Sequence, residues 1–234
     1  MSDDLDLIYG LHPVTEALRN PRRKLKKLWA SKNAADRLLE EVGNLPLAPE
    51  IVHPRDLDKR LGADAVHNGL LLEAKPLDQP RLDEIKKSGI VVMLDQVTDP
   101  HNVGAIFRTC AAFNVTAVVT TARHSAEATG VLFKAASGAF EHVPFLKVTN
   151  LSRAMAELKD EGFRLVGLDS EAPEVISEID RTPPLALVLG AEGKGLRKLT
   201  QDSCDHFVRL PLTGPIRSLN VSNACAVALY ALTQ

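Results

Sequence analysis

Three short segments gather residue types that could do chemistry: Asp99–Arg108 (DPHNVGAIFR), Leu187–Leu196 (LVLGAEGKGL) and Leu210–Ser222 (LPLTGPIRSLNVS). Each follows or ends an apolar run, and each collects Gly, Asn, Ser, Arg and Glu. In α/β sheets that is the composition of loops at the carboxyl ends of strands, where ligands are bound. Function is therefore expected in these three loops.

In the first, Pro100 imposes a turn and Asn102 stands where a helix begins, with Val103, Ile106, Phe107, Cys110 and Ala111 as its apolar face. Asn102 could serve as an ordinary N-cap. At ~100° per residue, Arg108 projects about 140° from the centre of that face, toward solvent. It could be a plain solvated arginine. In the second segment, Gly190, Gly193 and Gly195 follow an apolar strand and would let backbone approach a ligand closely. The order of glycines fits neither the dinucleotide fingerprint GxGxxG nor the phosphate loop GxxxxGK[ST]. In the third, Pro211, Gly214 and Pro215 form a bend, and Ser218 or Asn220 could cap the helix that follows. A helix N-terminus there would also favour an anion such as RNA phosphate.

In this order and spacing the three segments closely resemble the motifs of the SpoU (TrmH-type) RNA ribose methyltransferases of the SPOUT superfamily. The resemblance covers about residues 90–234, and Ile8–Leu18 (IYGLHPVTEAL) extends it to the variant with an N-terminal RNA-binding domain, as in the 23S rRNA guanosine 2'-O-methyltransferases. It implies an α/β domain with a C-terminal trefoil knot, S-adenosyl-L-methionine as cofactor, RNA as substrate and a homodimer. It assigns Asn102, Arg108, Glu192, Ser218 and Asn220 to catalysis. Gly190 and Gly195 would hold the methionine part and ribose, and Leu210 and Leu219 would offer backbone groups to adenine. Asn223 departs from the Val of many relatives, which affects packing rather than chemistry. Lys134–Phe140 (KAASGAF) also looks like a family stretch, or like a small-residue helix packed on a sheet.

The implied reaction moves a methyl group to a ribose 2'-hydroxyl, most simply of a guanosine in 23S rRNA. A hydroxyl is a weak acid, so its proton must leave as the oxygen attacks, and alignment can supply much of the rate. A guanidinium stays protonated at ordinary pH. Arg108 is therefore read as binding phosphate and stabilising the developing alkoxide, with the proton passing to phosphate or to an arginine made unusual by its site. A tRNA ribose methyltransferase, or a non-catalytic RNA-binding or ribosome-assembly protein, stays open at this point. A nicotinamide or nucleotide enzyme, the alternative from the α/β pattern alone, is disfavoured by the missing glycine fingerprint.

The rest of the chain must position these loops. At 234 residues two domains are expected, 1–80 and 81–234, joined by the proline-containing stretch from Lys75. The first reads as a compact α/β unit resembling the ribosomal L30e-like fold: a strand and helix over 5–20, strands over 25–30, 51–52 and 70–73, a helix over 33–42. The second alternates apolar runs (90–94, 115–119, 143–148, 164–168, 185–189) with helical patterns (103–113, 131–139, 151–161), the signature of a parallel sheet covered on both faces. The last helix, 221–232, is apolar nearly all round and reads as buried in the domain or against a second subunit.

A net charge of −2, from 28 basic and 30 acidic residues, excludes a protein that coats nucleic acid by bulk charge. RNA contact must be local, and Arg19, Arg22, Arg23, Lys24, Lys26 and Lys27 form one cluster, or else an ordinary solvated face. Three scattered cysteines imply no disulfide framework and a reducing compartment, the cytoplasm. The seven histidines form no metal-binding spacing. The acidic start lacks a signal pattern, and no apolar run approaches the roughly 20 residues of a membrane span.

Overall fold

The computed structural model describes residues 5–123 and 125–234; Met1–Asp4, part of the acidic start, and His124 lie outside them. The chain divides into two compact units.

The first unit comprises the chain up to Asp78 together with Glu127–His142. Its sheet runs in the order β1-β4-β2-β3, from β1 (Asp6–Tyr9), β2 (Leu25–Ala30), β3 (Glu50–Ile51) and β4 (Leu70–Ala74). β4 pairs antiparallel with both β1 and β2, and β3 adds in parallel to β2. Helices α1 (Leu11–Arg19), α2 (Lys32–Val42) and α3 (Pro54–Leu61) belong to it. α3 has no counterpart in the sequence reading because it is short and polar, and it buries only Leu57. The expected boundary at residue 80 places 127–142 with the second domain. The structure groups that segment with the first, since α5 (Gly130–Ala136) packs against β1.

One buried ion-pair cluster fastens this segment. Arg23 Nη1 lies 2.6 Å from Asp6 Oδ2, its Nη2 lies 2.5 Å from Glu141 Oε1, and Nη1 also donates to the Lys75 carbonyl. Arg23 is thus buried and paired, which removes it from the basic cluster expected to meet phosphate. Arg22 donates to the Glu141 carbonyl and Arg19 to that of Glu41, whereas Lys24 and Lys26 are exposed.

The second unit is one parallel sheet in the order β7-β6-β5-β10-β8-β11-β9. Its strands are β5 (Ile90–Asp95), β6 (Ala117–Thr121), β7 (Phe145–Val148), β8 (Arg164–Leu168), β9 (Glu174–Val175), β10 (Leu185–Gly190) and β11 (His206–Arg209). The helices are α4 (Pro100–Ala112), α6 (Leu151–Asp160), α7 (Lys198–Asp202) and α8 (Val221–Leu232). Every residue of β5 and β6 is buried, as strands covered on both faces require. The apolar run 115–119 is displaced in the strand itself, because Val115 still hydrogen-bonds to the Cys110 carbonyl in the turn after α4. β11 and the two-residue β9 lie beyond the sequence reading: β11 buries only Val208.

Helix α4 starts three residues before Val103. Asp99 is its N-cap, accepting from the His101 N–H, Pro100 occupies the first turn, and Asn102 is inside the helix with its side chain free for other work. α8 is capped by Asn220, whose Oδ1 accepts from the Ser222 N–H. α8 is less enclosed than its composition predicts: Val227 is 44% exposed and Tyr230 58%, while Cys225, Ala228 and Leu229 are buried. No described helix is long and apolar enough to cross a membrane.

Candidate active site

The three loops leave the sheet at neighbouring strand ends. β10 lies between β5 and β8, with Gly190 level with Asp95, and β11 lies on the far side of β8. The loop after β10 is a tight return. Gly195 N–H donates to the Ala191 carbonyl at 2.9 Å, and these two residues form an isolated antiparallel bridge. Two glycines make it possible. A Cβ on Gly190 would stand 2.2 Å from the carbonyl carbon of Gly195, and Gly195 itself adopts φ +64°.

Side chains from all three loops then meet at Glu192. Its Oε1 accepts from Asn220 Nδ2 at 2.5 Å, from Asn102 Nδ2 at 3.2 Å and from the Val221 N–H at 3.4 Å. Asn220 Nδ2 also donates to Asn102 Oδ1 at 2.9 Å. A carboxylate thus fixes two amides that are 118 residues apart in the chain. Charge-assisted bonds of this kind are short and orienting.

Beside this network lies a cleft of about 680 Å³. Gly190, Ala191, Glu192, Gly193, Lys194 and Gly195 line it, with Leu210, Leu212 and Arg217–Val221. Leu168–Glu171, at the end of β8, complete it. Of the residues singled out in the sequence, Gly190, Glu192, Gly195, Leu210, Ser218, Leu219 and Asn220 line the cleft, and Asn102 joins through its hydrogen bonds. Arg108 is not part of the lining. It is exposed on α4, and no side-chain hydrogen bond ties it to the described residues. Ser218 is likewise exposed.

The structure adds residues that sequence reading overlooks. The buried Asp95 carboxylate, ending β5, accepts from the Arg197 N–H and Nε at 3.1 and 2.7 Å. Asp169, just beyond β8, lies over Gly195. A carboxylate ending each of two apolar runs was the available signal. Pairing it with a particular loop required the strand order.

The cleft suits S-adenosylmethionine by the chemistry of its lining. Aliphatic side chains can cover a purine, bare glycine backbone admits close approach, and carboxylates complement hydroxyl or ammonium groups.

The chain is similar to proteins of known activity. A chain from Haemophilus influenzae called 23S rRNA (guanosine-2'-O-)-methyltransferase RlmB is 39% identical over 238 residues, covering 97% of this chain and 96% of its own. A protein of the same description from Pseudomonas putida is 38% identical over 97% of this chain and 95% of its own. In fold, the SpoU methyltransferase AviRb from Streptomyces viridochromogenes, solved in complex with AdoMet, superposes with a TM-score of 0.81. It is 23% identical over 97% of this chain and 88% of that one. Residues 7–80 match a family described as RNA 2'-O ribose methyltransferase substrate binding. With residues 89–230, which contain all three loops, matching the SpoU rRNA Methylase family, the chain belongs to that family.

Proposed function

We propose that this chain is an S-adenosylmethionine-dependent methyltransferase that modifies the ribose 2'-hydroxyl of a guanosine in 23S rRNA. The observation that carries the reading is the Asn102–Glu192–Asn220 network beside a glycine-lined cleft, a constellation that a pure RNA binder has no use for. The names of the RlmB relatives, matched over nearly the whole chain, support the substrate.

When bound, S-adenosylmethionine supplies a methyl carbon activated by its sulfonium. Gly190 and Gly195 would hold its methionine part and ribose through backbone, and Leu210 and Leu219 would present main-chain groups to its adenine. Glu192 locks Asn102 and Asn220, and with Ser218 these fix the target ribose in line with the methyl group. The cofactor would give up that methyl to the ribose oxygen and leave as a neutral thioether. The hydroxyl proton passes to a phosphate oxygen of the RNA. Arg108, standing free on α4, binds that phosphate and stabilises the alkoxide as it develops.

The finer architecture belongs to the same reading. The match to the SpoU family supports a trefoil knot in the C-terminal domain. Residues 1–80 form an L30e-like domain that selects RNA, with Lys24 and Lys26 as exposed phosphate contacts. The protein works in the cytoplasm as a homodimer, whose interface includes the exposed Val227 and Tyr230 of α8.

The deciding experiment incubates the protein with methyl-labelled cofactor and unmodified bacterial RNAs, then digests to nucleosides. Label in 2'-O-methylguanosine from 23S rRNA is expected. Label in tRNA would transfer the reading to a tRNA enzyme, and none at all, in protein that binds RNA, to a non-catalytic binder.

A further inference from the structure

Asp169 has a role that the three loop motifs do not assign. It follows β8 directly, one residue beyond the Leu168 that pairs with Leu189, so it stands beside Gly190 at the carboxyl edge of the sheet. Its N–H donates to the Val208 carbonyl at 3.0 Å, which fixes its backbone to the neighbouring strand. Oδ1 accepts from the Glu171 N–H at 3.0 Å. Oδ2 has no hydrogen-bond partner among the described residues, and it lies 2.6 Å from where a Cβ on Gly195 would be. The side chain is therefore anchored by one oxygen and rests the other on the bare backbone of the glycine loop, inside the cleft.

We infer that Asp169 accepts hydrogen bonds from the vicinal ribose hydroxyls of the adenosyl group, which makes it a binding residue for the cofactor; this rests on the function proposed above. The ribose joins the adenine to the sulfur in the ligand. In the cleft, the aliphatic lining suits the adenine, and the methyl group must face Glu192 and Asn220. A carboxylate between these parts meets the diol. Acidic side chains placed beyond a strand take ribose hydroxyls in other α/β nucleotide sites by the same chemistry. Glu192 is turned to a different task, its Oε1 holding Asn102 and Asn220.

Calorimetry with S-adenosylhomocysteine, with 5'-methylthioadenosine, which lacks the amino acid, and with their 2'- and 3'-deoxy analogues tests this. Asp169→Ala should weaken both parent compounds alike, by about 10-fold or more, the scale of a hydrogen bond to a charged group. At least one deoxy analogue should bind wild type more weakly by a similar factor and lose nothing further in the variant. Asp169→Asn, which keeps one acceptor, should fall between. The wild-type ligand series stands without any variant, so a poorly folding Asp169→Ala leaves the question decidable. A loss confined to S-adenosylhomocysteine would assign Asp169 to the ammonium group and overturn the inference. Deoxy analogues that bind wild type as well as their parents would also overturn it. Wild-type protein that binds neither parent compound overturns the underlying function and the inference together.

Discussion

Asp95, wholly buried at the end of β5, holds Arg197 by its backbone N–H and by its guanidinium, and so clamps the chain just where it leaves the glycine loop. Arg197 is half-exposed, so the ion pair itself is screened and contributes modestly. The larger effect is positional, because the clamp fixes one end of the 190–196 return while β10 fixes the other. Asp95→Asn should cost about 1–3 kcal/mol of stability and weaken S-adenosylhomocysteine binding. Urea denaturation and calorimetry measure the two. Unchanged affinity in the folded variant would show that the loop holds its shape without the clamp.

Gly190 is the tightest point of the site. Its absent Cβ would overlap the Gly195 carbonyl at 2.2–2.4 Å, and backbone on both sides leaves nothing flexible to yield. Gly190→Ala should therefore displace the 191–195 bridge and abolish cofactor binding while the sheet survives. Circular dichroism near wild type, with no calorimetric heat for S-adenosylhomocysteine, is the expected pair of results. Normal binding would mean that the return can open without harming the cleft.

Arg108 offers the opposite case, since it is exposed and takes no part in the cleft lining. Surface replacements of this kind change stability by about 0.5 kcal/mol or less. Arg108→Ala should leave melting temperature and cofactor affinity as they are, yet lower methyl transfer by roughly 100-fold or more, the scale of losing one charge-stabilising donor. Near-normal turnover would reduce Arg108 to a solvated side chain.

The strands of the second sheet were legible because burial on both faces writes itself as unbroken apolar runs: Arg164–Leu168 forms the strand expected of it, and Ile90–Leu94 gains only Asp95. Elements that bury a single residue, α3 and β11, leave no such trace. Glu192 and the two asparagines could be chosen only by resemblance, since residues 118 positions apart carry no local sign of contact. Arg23 misled for a related reason: a basic run looks uniform in sequence, while folding turned this one side chain inward to Asp6 and Glu141.

Assembly can be tested on α8, provided the right residue is changed. Leu229 is completely buried within its own subunit, so a charge there would break the core and say nothing about a dimer. Tyr230 and Val227 instead face outward, and Ile216 and Leu219, in the loop that precedes α8, are also exposed. A symmetric interface over this region should bury on the order of 1,200–2,000 Å². Val227→Arg with Tyr230→Arg should then convert a dimer to a folded monomer by sedimentation, with thermal unfolding that becomes independent of protein concentration. Because the exposed loop residues precede Asn220, methyl transfer should fall with the dimer. A wild-type monomer at micromolar concentration with full turnover would separate catalysis from assembly.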